Sequence, residues 1–252
     1  MRFKQLSLVA LGGLALSAGL KAETINYYVI SQQAQPFQIE EQGSNHSGIV
    51  TDIVKAVFDG SDYELAYHTY PFNRMITVLE AGGEENWVTY GSPNWGSVQA
   101  ENLSDKPIYT VRHTLVTSTK SPFNFADMSS LNGKGVVLLH GFDYPELIPY
   151  IEKGDVAEIR VKNYQSAFRV IQRTAGEAAF VEISSRVSYN LDKLQLDRDL
   201  YRMEPFSLVI PDYYIHLAFS KQMKPEIQDF INDRIEEMRT SGELDDIIGN
   251  YI

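Results

Sequence analysis

The sequence contains no cysteine, so disulfides and thiolate metal ligands play no part in its structure or chemistry. Its five histidines are scattered along the chain, with no metal-binding spacing such as His-Glu-x-x-His. There is also no Gly-x-Ser-x-Gly nucleophile turn and no glycine-rich phosphate loop. We therefore predict no cofactor, no metal and no catalytic residues.

Long apolar runs are scarce, and a single one is present, from Leu6 to Leu20, preceded by Arg2 and Lys4. A run of about 15 apolar residues is too short for a comfortable membrane span and is typical of a secretory signal peptide. The small residue Ala22 marks a cleavage point, so we predict that residues 1–22 are a signal peptide and that the mature protein is periplasmic. An uncleaved membrane anchor is the alternative.

Basic residues are outnumbered, with 22 Lys and Arg against 33 Asp and Glu, and the formal net charge is −11 at pH 7. Removal of Arg2, Lys4 and Lys21 with the signal peptide leaves 19 basic residues and a net charge of −14. This charge argues against nucleic acids and anionic membranes as partners. A mature chain of about 230 residues can bury a core without disulfides.

Two successive patterns of alternating strands and helices indicate an α/β protein. The first predicts strands at 24–30, 63–70 and 87–90, with helices at 48–58 and 72–81. This β-α-β-α-β order implies parallel pairing with right-handed crossovers. The second predicts strands at 136–139, 157–161 and 178–183, with helices at 164–174 and 225–241.

The segment from Ser104 to Ser118 lies between the two patterns. In it, Pro107 precedes a run of β-branched and apolar residues that is typical of a strand. We interpret the segment as a crossing from one lobe to another, and an ordinary strand within one domain is the alternative. Two facing α/β sheets form a cleft beyond the carboxyl ends of their strands, where ligands bind.

Four stretches make the chain resemble the bacterial extracellular solute-binding proteins of family 3, the amino-acid-binding type of periplasmic receptor. They match, in order, the family's PPF…GF-D-D-A-A opening, its FS-PYY crossing, its DL-GK-V-V entry to the second lobe and its closing DG-L-I helices. In this chain they are Pro36-Phe37 with 48–56, then 104–109, 127–136 and 227–248. The resemblance implies a two-lobed, hinged periplasmic-binding-protein (Venus flytrap) fold. Its first lobe would comprise residues 23–109 plus 211–252, and its second lobe residues 110–210.

The resemblance also implies a function. The protein would be a monomeric periplasmic receptor that captures a small polar ligand, amino acid-like or an amine, by hinge closure. It would deliver that ligand to an inner-membrane ABC permease or present it to a sensor kinase. Two alternatives stay open. One is an adaptor that docks on a membrane protein without binding a small molecule, and the other is a cleft enzyme, because a dehydratase and peptidoglycan lyases share the fold.

The arginine that binds the ligand's α-carboxylate in this family has no counterpart in the sequence. By the resemblance it follows the third strand, where this chain has Ser97 or Val98. Neither residue can form the bidentate pair that a guanidinium makes with a carboxylate. Arg74, which opens the helix after the second strand, is a candidate replacement. A solvated surface arginine is the alternative.

The remaining candidates follow the same resemblance. Glu182 ends a strand where a family acid holds the ligand's ammonium group, although it could instead cap the next helix. Gly141, Phe142 and Tyr144 fall in a turn that offers backbone N–H groups to a carboxylate, unless Asp143 occupies those donors by capping the following helix. Aromatic residues of predicted cleft loops could stack on a ligand or pack within a lobe: Phe37, Phe72, Tyr144 and, least core-like, Trp95.

Overall fold

The computed structural model describes residues 22–31, 34–41 and 46–252. Residues 1–21 of the predicted signal peptide lie outside the described residues. Within the described ranges, no helix is both long and apolar enough to cross a membrane.

The described residues form strands and helices that alternate along most of the chain. The strands are β1 (Glu23–Ile30), β2 (Tyr63–Tyr70), β3 (Trp87–Gly91), β4 (Tyr109–Val111), β5 (His113–Ser118), β6 (Gly135–Leu139), β7 (Ala157–Val161), β8 (Ala178–Ile183), β9 (Tyr201–Pro205) and β10 (Tyr213–Phe219). The α-helices are α1 (Ile49–Phe58), α2 (Phe72–Glu80), α3 (Val98–Glu101), α4 (Ile148–Glu152), α5 (Tyr164–Arg173), α6 (Ser184–Lys193), α7 (Pro225–Ser241) and α8 (Glu243–Gly249). Short 3-10 turns occur at Met128–Leu131, Pro145–Leu147 and Arg198–Leu200.

The strands form two five-stranded sheets, one in each of two lobes. The sheet of the first lobe has the order β2-β1-β3-β10-β4, and that of the second lobe has the order β7-β6-β8-β5-β9. The pairs β1–β2 and β1–β3 are parallel, as predicted, and so are β6–β7 and β6–β8. β10, β5 and β9 add antiparallel pairs to these parallel centres. The predicted two-lobed α/β fold is confirmed.

The chain crosses between the sheets twice. The segment predicted as the first crossing contains two strands, because β4 belongs to the first sheet and β5 to the second, with Arg112 alone between them. The return runs from the end of β9 at Pro205 to the start of β10 at Tyr213. Two short connections of this kind leave the lobes facing each other across a cleft. The residue boundaries of the lobes stay a prediction from the resemblance.

Strand alternation explains how the second lobe buries both faces of its sheet. Along β5 and β6, Leu115 and Val136 pack into one apolar cluster, whereas Val116 and Val137 pack into another on the opposite face. Successive side chains of a strand point to opposite faces, so a run of buried apolar residues supplies two layers at once. The first lobe has one large cluster, which Ile183 of the second lobe also joins. The lobes are therefore in contact at the end of β8.

Candidate functional site

Two adjoining cavities lie in the cleft between the lobes, next to Trp95 and Phe142. The larger cavity has a volume of about 630 Å³, and the smaller cavity has a volume of about 220 Å³. Both lobes contribute to each of them, and the two cavities share five lining residues, namely Tyr90, Trp95, Phe142, Asp143 and Arg186. They therefore adjoin and form one interlobe site with two compartments.

Most of the site residues predicted from the sequence line these cavities. Trp95 and Phe142 line both, Phe72 and Gly141 line the larger cavity, and Phe37, Tyr144 and Glu182 line the smaller one. Arg74 is an exception among the predicted residues, because it does not line either cavity. It is exposed on α2 with its guanidinium carbon 5.5 Å from the centre of the Tyr70 ring. A ligand contact for any of these residues stays a prediction.

The loop between β3 and α3 holds Trp95 in place. The backbone N–H of Trp95 donates to the carbonyl oxygen of Ser92 at 3.0 Å, and Ser92 in turn donates its N–H to the carbonyl oxygen of Gln99 at 3.0 Å. The Gln99 amide donates to the Tyr90 carbonyl at 2.8 Å. Edge-to-face contacts then fix the indole between the rings of Tyr90 and Tyr213, at centroid distances of 5.6 and 6.4 Å.

The position of the family's arginine is occupied by groups of another kind. Ser97 lines the larger cavity, and its hydroxyl donates to a carboxylate oxygen of Glu80. Val98 is partly buried and packs on the core of the first lobe. This part of the site therefore offers no positive charge to a ligand.

The aromatic side chains that line the cavities differ in how deeply they are buried. Phe37 is 1% exposed and packs against Tyr90 and Tyr109, with ring centroids 6.3 and 5.2 Å away. Phe72, at the start of α2, is 41% exposed and forms a rim of the larger cavity. Phe37 thus serves both core and cleft, whereas Phe72 is free to cover a solute.

The turn after β6 is held by a second-lobe arginine. Arg160 donates from Nη1 to the carbonyl oxygens of Leu139 and Phe142, at 2.9 and 2.8 Å. The expected helix cap by Asp143 is wrong, because Tyr144 precedes the 3-10 turn at Pro145 and no side chain caps it. Asp143 is instead exposed and lines both cavities. It adds a negative charge at the mouth of the site.

Arg186, which the sequence analysis missed, lies at the junction of the two cavities. It stands in the first turn of α6, is only 9% exposed, and lines both cavities. Its guanidinium carbon is 5.8 Å from the centre of the Phe37 ring and 4.9 Å from that of Phe142. The available signal was its spacing, four residues after Glu182 near the end of β8, which places both groups at the same corner of the second lobe.

Glu182, 3% exposed, is the acidic partner of this corner. Its Oε1 accepts a hydrogen bond from the Ile183 backbone N–H at 2.7 Å, and its Oε2 accepts one from the Tyr164 hydroxyl at 3.1 Å. Burial raises the pKa of Glu182, although the charge of Arg186 and these two hydrogen bonds oppose that rise. The carboxylate is therefore engaged by its own lobe on both oxygens.

The charges of this corner support one another. Burial is the largest single effect on the pKa of Arg186 and lowers it, but Glu182 together with the hydroxyl groups of Tyr164, Tyr90 and Tyr213 outweighs burial and keeps the pKa above its ordinary value. Burial and the positive charge of Arg186 lower the pKa of His113 to about 4. The smaller cavity therefore contains a guanidinium cation, a carboxylate and a histidine that is neutral at physiological pH.

The described part of the chain shows no group of three or more His, Asp and Glu side chains that could hold a metal ion. The site is instead an aromatic-walled compartment with buried charges, an arrangement that suits the binding of a small polar or partly apolar organic molecule.

Solved structures that resemble this fold include substrate-binding domains of amino acid ABC transporters and ancestral amino-acid-binding proteins. A domain assigned as the second substrate-binding domain of an amino acid ABC transporter from Streptococcus pneumoniae is 18% identical, with a TM-score of 0.67, over 91% of this chain and 99% of that one. The second substrate-binding domain of Lactococcus lactis GlnP, in an open conformation, is 16% identical, with a TM-score of 0.63, over 92% of this chain and 95% of that one. An ancestral amino-acid-binding protein, described as a precursor of cyclohexadienyl dehydratase, is 14% identical, with a TM-score of 0.61, over 90% and 94%.

No functionally curated protein matches the chain significantly. The family model of the bacterial extracellular solute-binding proteins, family 3, matches residues 28–252, which is nearly all of the described chain and agrees with the two lobes and the cleft between them. The chain belongs to the bacterial extracellular solute-binding proteins of family 3.

Proposed function

We propose that the protein is a periplasmic receptor that captures a small polar solute, amino acid-like or an amine, between its lobes and hands it to an ABC permease or a sensor. The observation that carries this proposal is the interlobe site itself. Phe37, Tyr90 and Trp95 of the first lobe face Phe142 and Arg186 of the second across the two cavities. A solute that touches both walls binds the closed arrangement more tightly and so shifts the lobes toward it.

Membership of the family and similarity to the substrate-binding domain of an amino acid ABC transporter support this class of ligand and delivery to a permease. The composition of the site is compatible with it, because aromatic walls can cover an apolar part while the buried charges select a polar one. We propose the protein as a monomer, as the resemblance implies.

Binding without catalysis is part of the proposal. Acid–base chemistry in the cleft would need titratable groups free to exchange protons with a substrate. Both oxygens of Glu182, the buried acid of the cleft, are hydrogen-bonded within the second lobe. One structural relative is described as the precursor of a dehydratase, so a substrate-turnover assay belongs with any binding study.

A thermal-shift screen of residues 23–252 tests the proposal. The panel should hold amino acids, amines and polyamines, deaminated carboxylic acids, short peptides and sugars. A solute at a hundred times its dissociation constant adds about 2.7 kcal/mol to the free energy of unfolding, which raises the melting temperature by several degrees. A panel without any such solute would overturn the receptor proposal and favour the adaptor, whose partner is a membrane protein.

A further inference from the structure

Arg186 presents hydrogen-bond donors that the protein itself does not use. The residue is 9% exposed, its Nε is buried, and within the described ranges no atom accepts a hydrogen bond from that Nε. It also forms none of the ion pairs found between described residues. A guanidinium has five N–H donors, and a buried one that is left unpaired, as at Nε, is costly. An acceptor from outside the protein would remove that cost.

Neighbouring aromatic rings hold this guanidinium without using its donors. Phe37 of the first lobe and Phe142 of the second lie within cation–π distance, at 5.8 and 4.9 Å. A ring face attracts the cation but offers no lone pair to N–H groups lying in the plane of the guanidinium. The two contacts therefore fix Arg186 between the lobes and leave the N–H groups along the edge of its guanidinium plane available. Such an edge suits a carboxylate bound through two parallel hydrogen bonds.

Glu182 does not take this edge. Its two oxygens accept hydrogen bonds from the Ile183 N–H and the Tyr164 hydroxyl, and the ion pairs between described residues do not include one between Glu182 and Arg186. It acts from a distance as a counter-charge that supports the buried cation. His113 also lines the smaller cavity, with a buried Nδ1 that has no hydrogen-bond partner among the described residues. Two nitrogen groups of this compartment thus lack protein partners.

The lining of the larger cavity indicates the chemistry of the part of the ligand that lies beyond the carboxylate. It opens from the same Arg186 but is lined mainly by apolar and aromatic side chains, namely Ile30, Ala34, Phe72, Ile76, Tyr90 and Trp95. The carboxylate of Asp143 borders both cavities and would repel a second negative charge on a ligand. The arrangement therefore favours one carboxylate attached to an apolar or aromatic body.

We propose that Arg186, from the second lobe, binds the carboxylate of the solute, and that the solute is a monocarboxylate with an apolar or aromatic body in the larger cavity. This rests on the proposed receptor function and deepens it. In this assignment the carboxylate is bound by a cation of the second lobe instead of the first-lobe arginine of the family. The position of that family arginine is occupied here by Ser97 and Val98. It also reassigns Glu182 from the holder of an ammonium group to the support of Arg186.

Calorimetric titration with matched probes tests the assignment. Phenyl, indolyl and branched-alkyl bodies should each be supplied as the amino acid, the deaminated carboxylate and the decarboxylated amine. We expect deaminated carboxylates, such as 3-phenylpropanoate, to bind and the corresponding amines, such as 2-phenylethylamine, not to bind. Binding of amines without binding of the deaminated acids would overturn the assignment while leaving the receptor function intact, and no binding by any solute would overturn both.

Variants separate Arg186 from a structural role. Arg186→Gln should weaken carboxylate binding at least tenfold, since it removes a charged, two-point contact. Arg186→Lys keeps the positive charge and is the second variant in case Arg186→Gln does not fold. It should bind the carboxylate more weakly than the wild type because a lysine cannot bind it bidentately. Arg173→Gln, an exposed second-lobe arginine that lines neither cavity, is the matched control and should bind normally. Unchanged affinity in both Arg186 variants would overturn the proposal.

Glu182→Gln gives opposite results under the two assignments. If Arg186 holds a carboxylate, loss of the nearby negative charge should leave carboxylate affinity unchanged or higher, even where the free protein melts at a lower temperature. If Glu182 holds an ammonium group, the same variant should lose amine-bearing ligands. A fall in the affinity for deaminated carboxylates would also count against Arg186 as the anion site.

Discussion

At the scale of single residues, His113 shows how burial, helped by a neighbouring charge, controls protonation in the cleft. It opens β5 directly after the crossing at Arg112 and lines the smaller cavity. Burial and Arg186 lower its pKa from 6.5 to about 4, and Asp212 opposes them only in part. The histidine therefore stays neutral over the pH range in which exposed histidines titrate.

This shift predicts a pH dependence of stability. Between pH 6.5 and about 4 the unfolded chain binds a proton at His113 that the folded chain does not. The contribution of neutral His113 to the free energy of unfolding is fully present above pH 6.5. It is lost as the pH falls, by up to about 1.4 kcal/mol per pH unit. In urea unfolding at pH 7, 6 and 5, the free energy of unfolding should decline less with falling pH for His113→Gln than for the wild type.

The control for that measurement is His140→Gln, because His140 is exposed in the second lobe. The free energy of unfolding of His140→Gln should decline with falling pH as much as that of the wild type. Equal pH dependence in the wild type and in His113→Gln would mean that His113 titrates in the folded protein as it does in the unfolded chain.

Residue-level prediction from the sequence was uneven, for a physical reason. Motif order and loop aromatics were enough to single out Trp95, Phe72 and Glu182, which line the cavities. Arg186 was missed because its importance depends on what surrounds it in space. The rings of Phe37 and Phe142 come from distant parts of the chain, and a sequence pattern contains no information on unused hydrogen-bond donors.

At the scale of elements, the strand that ends at Gly91 fixes the loop that carries Trp95. A Cβ added to Gly91 would lie 1.9 Å from the carbonyl oxygen of Gln99, far inside contact distance. That carbonyl also accepts the N–H of Ser92 at 3.0 Å. The close approach of these two backbone segments therefore requires glycine at the end of β3.

Gly91→Ala should accordingly force the loop away from the strand and lower the free energy of unfolding by at least about 2 kcal/mol. Chemical denaturation checks this value. Gly96→Ala lies in the same loop, where an added Cβ meets nothing within 4 Å, and should cost far less. Equal stability of the two variants would show that the contact of Gly91 with Gln99 does not constrain this loop.

Elements with strong local patterns were predicted well, and those that depend on pairing were not. β1, β2, β7 and β8 appear within a residue of their predicted bounds because each is a run of strand-forming residues. β9, with the sequence Tyr-Arg-Met-Glu-Pro, has no such run and exists through its antiparallel pairing with β5. α3, of four residues, is too short to give a helical period.

At the scale of the whole molecule, the two crossings between the sheets are the basis of the proposed capture of a solute by lobe movement. Arg112 alone separates β4 from β5, so a change at few backbone angles reorients one sheet against the other. A polar contact joins the lobes at the edge of the cleft, where Lys193 of α6 donates to the Gln35 side chain at 2.7 Å. A solute that touches both walls would add to this contact and favour the closed form.

Small-angle X-ray scattering of residues 23–252 tests this account most directly. The protein should be measured alone, with a saturating solute that raises its melting temperature, and with a structurally related solute that does not. We predict that the radius of gyration falls with the stabilising solute only, because the lobes close over it. A radius that stays the same at saturation would contradict capture by lobe closure, even if the solute binds.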